Sequence, residues 1–322
     1  MTVRAAILLA IAAFTTPATA QTWPSRTITL VVPFAAGGGT DAIGRVVAEK
    51  LSARLGQPVV VENKAGAASA IGTAYVAKAP ADGYTLLMTT NSAMVILPLT
   101  QPAGSLNYDR NDFSLIGITG ILPNLLIVSP KVPANSVREL IAYAKARPGQ
   151  LSFASSGNGT ITHLIGELFK ARTGIDVVHV PYRTGVQSAP DVMEGRVQYI
   201  FDNIIWSLPM IRAGQLKGLA ITTSQRSSLA PDIPTVAESG VPGFEGITWL
   251  GLAAPAKTPE PVIARLATEL RAVLADKETI AKLAATGAEP PTAPGPDGMR
   301  ALLAEDIARW KDILGEGKIK LQ

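Results

Sequence analysis

The chain has 322 residues, a formal net charge of +4 and no cysteine. The lack of cysteine excludes disulfides and thiolate chemistry, and a mild, dispersed positive charge with only four tryptophans does not make the basic, aromatic surface of a nucleic-acid-binding protein. This length suits one large domain or two of ordinary size.

Residues 1–20 have the pattern of a secretory signal. Arg4 provides the positive start, residues 5–14 are apolar but too few to span a bilayer, and residues 18–20 form a small-x-small cleavage site. We therefore expect export to the periplasm and cleavage after Ala20. A buried N-terminal helix is the alternative interpretation of the same residues.

The first third of the chain alternates between strand and helix patterns. Residues 28–33 are an apolar run typical of a buried parallel strand, and residues 41–55 carry a helical apolar stripe that Gly56 ends. Two further strands are predicted at 59–61 and 84–88, with a helix at 71–79 between them. This βαβαβ order predicts a parallel sheet with helices on both faces.

A second unit of the same kind begins near Pro123. Its predicted strands cover residues 125–128, 151–154, 177–180, 197–201 and 216–222, and its helices cover 136–146 and a segment that begins at Ile161. From Trp249 onward the pattern is mostly helical, at 259–275, 277–286 and 296–314. Helices without a sheet of their own need a surface to pack on, so we expect them to return to the first unit.

Two glycine-rich turns each follow a strand and open a helix. The first contains Phe34, Ala35, Ala36, Gly37, Gly38, Gly39, Thr40 and Asp41, and the second contains Ser155, Ser156, Gly157, Asn158, Gly159 and Thr160. Free backbone amides and the positive end of a helix dipole make such turns anion sites. Neither turn carries Lys or Arg, so amides and hydroxyls would grip one anion from two sides, or a ligand that is negative at both ends. Thr40 and Asp41 can also cap the helix.

The first turn also fits a loose dinucleotide fingerprint. Gly37, Gly39 and Ala42 have its spacing, and Glu62 stands where an acidic ribose partner would be. However, residues 33–36 separate the strand from the first glycine, whereas the fingerprint turn leaves its strand almost at once. We therefore predict no cofactor.

Two histidines raise the question of metal or catalytic chemistry. His163 and Glu167 are four residues apart on the polar face of a predicted helix, where they could form half a metal site. With no cysteine and no second histidine nearby in sequence, a surface ion pair or a ligand contact is favoured, and we predict no metal. His179 lies in an apolar strand and is expected in the core or at an edge.

Hydrolase chemistry has little support in the sequence. There is no Gly-x-Ser-x-Gly elbow, and a helix would place His163 awkwardly as a base for Ser155 or Ser156. We therefore expect no enzyme and no catalytic residues.

Two charged residues end strands of the second unit. A carboxylate such as Asp202 at the carboxyl edge of a parallel sheet often faces a ligand crevice, although it can instead cap the next helix. Arg183 could pair with a ligand carboxylate, or only with Asp202 or Glu167. The sequence leaves these alternatives open.

The chain resembles the substrate-binding proteins of tripartite tricarboxylate transporters, often called the Bug family. The resemblance covers nearly the whole mature chain and is carried by residues 23–26, 32–41, 61–64, 82–86, 155–160, 163–164, 166–168, 178–182, 234–240 and 243–244. It implies an α/β periplasmic binding protein of type II, with two lobes, a mainly parallel sheet in each and a ligand cleft between them. It also implies that Asn91, Ser92 and Ala93 line the cleft.

The resemblance implies a role and a domain division as well. We expect a monomer without nucleic-acid partners that captures a small organic carboxylate for membrane transporter subunits. The alternatives are a ligand-sensing subunit for a membrane histidine kinase and, less favoured, an exported enzyme on the same scaffold. Lobe 1 would comprise residues 21–120 and 247–322, and lobe 2 residues 121–246. The ligand-binding residues would be Phe34, Ala35, Ala36, Gly37, Gly38, Thr40, Asp41, Asn91, Ser92, Ala93, Ser155, Ser156, Gly157, Asn158, Gly159, Thr160, His163, Arg183 and Asp202.

The sequence departs from the family pattern near the expected cleft. Residues 65–69, 183–188 and 94–102 differ from the usual motifs at those places. The identity of the ligand therefore does not carry over from any relative.

Overall fold

The computed structural model of the protein describes residues 23–317 and 319. Within this part of the chain, two five-stranded sheets, each flanked by helices, form two lobes. The predicted secretory signal and its cleavage site lie outside the described residues.

The strands fall into two groups along the chain. The first sheet contains β1 (Ile28–Val32), β2 (Val59–Asn63), β3 (Thr85–Thr90), β4 (Phe113–Leu122) and β10 (Thr248–Pro255). The second contains β5 (Asn124–Val128), β6 (Leu151–Ser155), β7 (Val177–Pro181), β8 (Tyr199–Asn203) and β9 (Lys217–Ile221).

The helices that flank these sheets follow mostly where the apolar periodicity predicts them. They are α1 (Gly39–Leu55), α2 (Ala70–Ala77), α3 (Leu97–Thr100), α4 (Val137–Lys145), α5 (Ile161–Thr173), α6 (Ala189–Met193), α7 (Ile204–Arg212), α8 (Glu260–Ala275), α9 (Lys277–Ala285) and α10 (Pro296–Gly315). The sequence did not indicate β4, whose apolar run is interrupted by Gly117, Thr119 and Gly120, or α7, which contains Pro209.

Both sheets have the same arrangement. Their strand orders are β2-β1-β3-β10-β4 and β7-β6-β8-β5-β9, and in each sheet four strands run one way while one strand is reversed. The reversed strands are β10 and β5. The predicted mainly parallel sheets are therefore confirmed, with one antiparallel strand in each.

The reversed strands lie next to the places where the chain passes between the sheets. Strand β4 ends at Leu122 and β5 begins at Asn124, so the first passage takes a single residue. The second passage, which returns the chain to the first sheet, runs beside the first. The side-chain amide of Asn124 donates to Thr248 Oγ1 at 3.2 Å, and the Thr222 hydroxyl donates to the carbonyl of Gly246. These buried hydrogen bonds tie the two connections together at the base of the cleft.

The C-terminal helices pack against the first sheet. Helix α8 lies on α1 and β4, and α10 lies on β4. The buried indole of Trp249 in β10 donates to Asp306 Oδ2 of α10 at 2.9 Å, which gives this packed interface a satisfied polar contact. No helix among residues 23–317 is both long and apolar enough to cross a bilayer.

Helix α5 lies close to its sheet because of a glycine. A Cβ on Gly166 would overlap the ring of Phe153 in β6. We expect Gly166→Ala to lower the free energy of unfolding by about 1–3 kcal/mol, the usual cost of forcing extra atoms into a packed core. Denaturant unfolding measures this loss.

Gly315→Ala is the matched control, because Gly315 is also a helical glycine, at the end of α10, but has no neighbour near its missing Cβ. It should leave stability unchanged or slightly raised. Equal losses in the two variants would show that close packing of α5 on β6 is not the cause.

Candidate functional site

A cleft lies between the lobes, where the first glycine-rich turn of lobe 1 meets the second turn and the end of β8 in lobe 2. The cavity in it measures about 80 Å³. A water molecule needs about 10–15 Å³ on such a measure, so there is room for a small organic molecule.

The predicted site residues divide into two groups. Those that line the cleft are Phe34, Ala35, Gly37, Gly38, Thr40, Ser92, Ser156, Thr160, Arg183 and Asp202. Those that do not are Ala36, Asp41, Asn91, Ala93, Ser155, Gly157, Asn158, Gly159 and His163. The structure therefore brings both turns to one cavity, but parts of each turn face the protein interior.

The first turn presents the start of α1 to the cleft. Gly38 precedes this 17-residue helix, and no side chain among the described residues caps it. The amide of Gly37 instead donates to Asp41 Oδ2 at 2.9 Å. The first amides of α1 thus keep their donor capacity at the positive end of the helix dipole, which is the arrangement that binds anions.

Asp41 holds the turn in shape. Its carboxylate is buried and accepts hydrogen bonds from Arg45 at 3.0 Å and Asn63 at 2.9 Å, besides the one from Gly37. Burial alone would raise the pKa of Asp41, but the hydrogen bonds from Arg45, Gly37 and Asn63 outweigh it and hold that pKa below its usual value. Asp41 is therefore ionised and occupied by partners within lobe 1.

The second turn differs from the predicted nest of free amides. The amides of Ser156, Gly157 and Gly159 donate to Thr162 Oγ1, Ser155 Oγ and His163 Nδ1 at 3.0, 3.1 and 3.2 Å. The amide of Ile161 donates across the cleft to Ser92 Oγ of lobe 1 at 3.1 Å. This turn consequently faces the cleft mainly with the hydroxyl-bearing residues Ser156, Thr160 and Thr162.

The prediction that His163 and Glu167 lie on a polar surface is wrong. Both are buried, and Glu167 pairs with Lys170 at 2.9 Å rather than with His163. The fold also brings up the second histidine that the sequence did not place nearby: the rings of His163 and His179 stack with centroids 3.9 Å apart. Among the described residues no group of three or more candidate ligands could hold a metal ion.

The two stacked histidines are neutral, and each forms a hydrogen bond with the second turn. His163 Nδ1 accepts from the Gly159 amide, and His179 Nε2 shares a hydrogen bond with Ser155 Oγ at 2.7 Å. Burial lowers the pKa of His163 to about 4 and that of His179 to about 3, with smaller effects from Lys170 and, for His179, from His163. Ser155 is buried, does not line the cleft and also accepts from Gly157, so this Ser–His contact shapes the turn.

Asp202 and Arg183 both line the cleft but do not pair with each other. Asp202 is 1 % exposed, and its partners are the Asn203 amide at 2.8 Å, Asn203 Nδ2 at 3.0 Å, Trp206 Nε1 at 3.0 Å and the Ser156 side chain. Burial raises the pKa of Asp202 to about 6, although hydrogen bonds from Asn203, Trp206 and Ser156 oppose the shift. Arg183 is exposed and has no hydrogen bond or ion pair within the described chain, so its predicted alternatives of pairing with Asp202 or Glu167 do not occur.

Several lining residues were missed by the sequence argument. They are Gly39, Thr90, Leu122, Ile161, Thr162, Thr184, Gly185, Val186, Asn203, Ile205, Trp206 and Thr248. Gly185 had a usable signal, since it follows Arg183 in a strand-ending loop, and a Cβ there would overlap Asp202 Oδ2. Trp206 belongs to α7, which the sequence did not indicate.

Two polar atoms of these missed residues have no partner in the described part of the chain. They are Thr90 Oγ1 and Asn203 Oδ1, both buried at the cleft. A buried polar atom without a hydrogen bond is costly. The amide oxygen of Asn203 needs a donor, whereas the Thr90 hydroxyl can donate to an anion or accept from a donor.

Comparison with known proteins gives concordant results. Residues 43–319 match the family described as tripartite tricarboxylate transporter family receptor. Protein BugT of Bordetella pertussis is 38 % identical over 316 residues, which cover 98 % of this chain and 97 % of that protein.

Solved structures agree in fold as well as sequence. Rpa4515 of R. palustris with adipate is 38 % identical, has a TM-score of 0.87 and covers 92 % of this chain and 99 % of its own. MatC (Rpa3494) of Rhodopseudomonas palustris with bound malate is 31 % identical, has a TM-score of 0.84 and covers 90 % and 99 %. The two-lobed periplasmic binding fold is thereby confirmed.

The neutral histidines predict a loss of stability in acid. A histidine in the unfolded chain has a pKa of about 6.5, whereas the pKa of His163 in the folded protein is about 4. The unfolded state therefore binds more protons in this window, and the free energy of unfolding falls as the pH falls from 7 to 4, by on the order of 3 kcal/mol from His163. Denaturant unfolding at each pH measures the slope.

The variant His163→Gln should flatten this slope. Carboxylates titrate in the same range in both proteins, so the difference between the two curves isolates the histidine. A slope that is the same in the variant would contradict a buried neutral imidazole.

Proposed function

The chain belongs to the tripartite tricarboxylate transporter receptor family, and we propose that it captures a small organic acid anion in its interlobe cleft and delivers it to a membrane transporter. The observation that carries this proposal is the uncapped start of α1, whose amides meet the cavity without a competing side chain. A carboxylate is the small organic anion that such a helix end binds. The family and its structural neighbours are solute-binding receptors.

We propose that the ligand is a dicarboxylate. Two similar structures hold adipate and malate, and both are diacids. In this chain the start of α1 serves one carboxylate, and the unpartnered guanidinium of Arg183 on lobe 2 serves the other. Thr90 Oγ1 and Asn203 Oδ1 remain for polar groups between the two ends.

We also propose how the protein is exported and processed, and how its chain divides into lobes. The protein is exported by a signal of residues 1–20, is cleaved after Ala20, and acts in the periplasm as a monomer. Its lobes comprise residues 21–120 with 247–322, and residues 121–246. The two sheets support this division in outline, because β4 and β10 belong to the first and β5 to β9 to the second, although β4 extends the first sheet to Leu122.

A thermal-shift and calorimetry screen tests the proposal. The panel contains succinate, glutarate, adipate and malate as diacids, with lactate and butyrate as monoacids. Ligand at a hundredfold excess over Kd stabilises the folded state by about 2.7 kcal/mol, which a shift in Tm reveals. The absence of a shift with every acid would contradict the proposed function.

Gly38→Val should abolish most of the binding. Gly38 has an ordinary negative φ, and a Cβ there would make only an ordinary contact with the Ala35 carbonyl at 3.6 Å, so valine is compatible with the fold but places its side chain at the start of α1. We expect the affinity for the best diacid to fall at least tenfold, measured by calorimetry. Lys64→Gln is the control, because Lys64 pairs with Glu62 at 2.6 Å and does not line the cleft; an equal loss in that variant would count against the amide site.

Arg183→Ala should separate diacids from monoacids. A charge-assisted hydrogen bond is worth roughly 1.5–3 kcal/mol, so the affinity for adipate should fall about tenfold or more. The affinity for the monoamide of adipate should change little. Arg147→Ala, which removes a lobe 2 arginine that lies on Tyr143, is the matched control. Equal effects of Arg183→Ala on both ligands would refute a salt bridge to the second carboxylate.

A further inference from the structure

We propose that anion capture draws a proton from solvent onto Asp202, so that this group faces the bound ligand as a neutral carboxylic acid. The inference rests on the proposed function, because it requires a carboxylate in the cleft. It adds a proton to the binding reaction: ligand anion, protein and one solvent proton combine, and no covalent bond other than the Asp202 O–H is made.

The first observation is that Asp202 has no cationic partner. The carboxylate is almost fully buried at the cleft, and its donors are the neutral groups of Asn203, Trp206 and Ser156. Buried carboxylates are usually paired with a cation or are neutral. Asp202 has no cation beside it and is still ionised at neutral pH, but burial raises its pKa to about 6 and so brings it closer to the neutral form.

Charged groups on the elements around Asp202 form ion pairs with one another. On α5, Glu167 pairs with Lys170; at the start of α1, Asp41 pairs with Arg45; and near α6, Asp191 pairs with Arg196. Strands β5 and β6 on either side of β8 carry no charged side chain. Of the described residues that line the cleft, Arg183 alone is charged besides Asp202, and it forms no ion pair with it.

The second observation concerns room for a proton. Asp202 Oδ1 accepts two hydrogen bonds from Asn203, Oδ2 accepts one from Trp206 Nε1, and the Ser156 hydroxyl also bonds to the carboxylate. A carboxylate oxygen has two lone-pair sites and a hydroxyl can accept as well as donate, so Oδ2 can take a proton and keep its bond to the indole. Gly185 lies against this oxygen, and only its lack of a side chain allows the approach.

The third observation is the short path from Asp202 to the anion site. The Asn203 side chain, bonded to Asp202, reaches within 3.2 Å of the position that a Cβ would take on Gly39, in the first turn of α1. A carboxylate seated on α1 is thus about one amide group away from Asp202. At an effective dielectric constant near 20, a like charge about 6–8 Å away raises the proton affinity of the acid by about thirtyfold and up to about a hundredfold.

This repulsion changes the protonation state at neutral pH. With an affinity increase of that size, Asp202 goes from mostly ionised in the free protein at pH 7.5 to about half protonated or more in the complex. The new O–H on Oδ2 can then donate a hydrogen bond to the ligand. Binding should therefore be tighter at lower pH.

Calorimetry in two buffers of different ionisation enthalpy, PIPES and Tris, tests the inference at pH 7.5 with succinate, glutarate, adipate and malate. We expect the tightest binder to take up about half a proton or more in the wild-type protein. Its affinity should fall about tenfold or more between pH 6.5 and 8.5. In Asp202→Asn the uptake should vanish and the affinity should lose this pH dependence.

Two further variants control the result. Asp202→Asn combined with Trp206→Phe removes the clash between the new amide and the indole N–H. Asp306→Asn replaces a buried carboxylate that accepts from Trp249 in lobe 1 and does not line the cleft, and it should leave the uptake unchanged. If no Asp202 variant folds, the wild-type uptake decides, and an uptake well below half a proton overturns the inference.

The outcomes separate the inference from the proposed function. Tight binding without proton uptake in the wild-type protein, or uptake that persists in Asp202→Asn, overturns the role of Asp202 and leaves acid capture standing. Failure of every acid in the panel to bind overturns both.

Discussion

The start of α1 is the constraint on which the cleft depends. The first amides of a helix have no partner within it, and most proteins satisfy them with a side chain at the N-cap. Here a glycine stands at that position, and the nearest carboxylate, Asp41, bonds to Gly37, Arg45 and Asn63 instead. The lobe thus keeps its negative group inside the turn and directs its donors outward, which suits an anion better than any neutral solute.

The two glycine-rich turns look alike in sequence but differ in what they offer. Glycine gives the second turn its shape, while Ser155, Thr162 and His163 take up its amides. Its backbone is held by a pair of stacked neutral imidazoles, so its geometry is rigid and its contribution to the cleft comes from hydroxyls. The hydrogen bond from the Ile161 amide to Ser92 Oγ then joins the two lobes at the start of α5.

The buried polar groups at the carboxyl edge of the second sheet lower the stability of the fold, but they fix the position of the side chains that line the cleft. Asp202 fixes Asn203 and Trp206 in place and demands glycine at position 185, and its burial opposes its own charge. Buried polar groups with shifted pKa values of this kind are found where a site must be ready before its ligand arrives. Thr90 and Asn203 also each have an unpartnered atom at the cleft.

The sequence by itself determined the two βαβ units and the turns that begin α1 and α5, because apolar periodicity and glycine positions are local properties of the chain. The family followed from the resemblance of short motifs along the chain. The sequence did not determine which polar atoms face the cleft. His163 lies against His179, Asp202 against Gly185, and Ser92 against Ile161, and each pair joins residues distant in the chain whose contact depends on how sheets and lobes pack. Hydrogen-bond capacity spent within a turn cannot be read from the order of residues, so only the tertiary structure showed that the first turn keeps its amides free while the second does not.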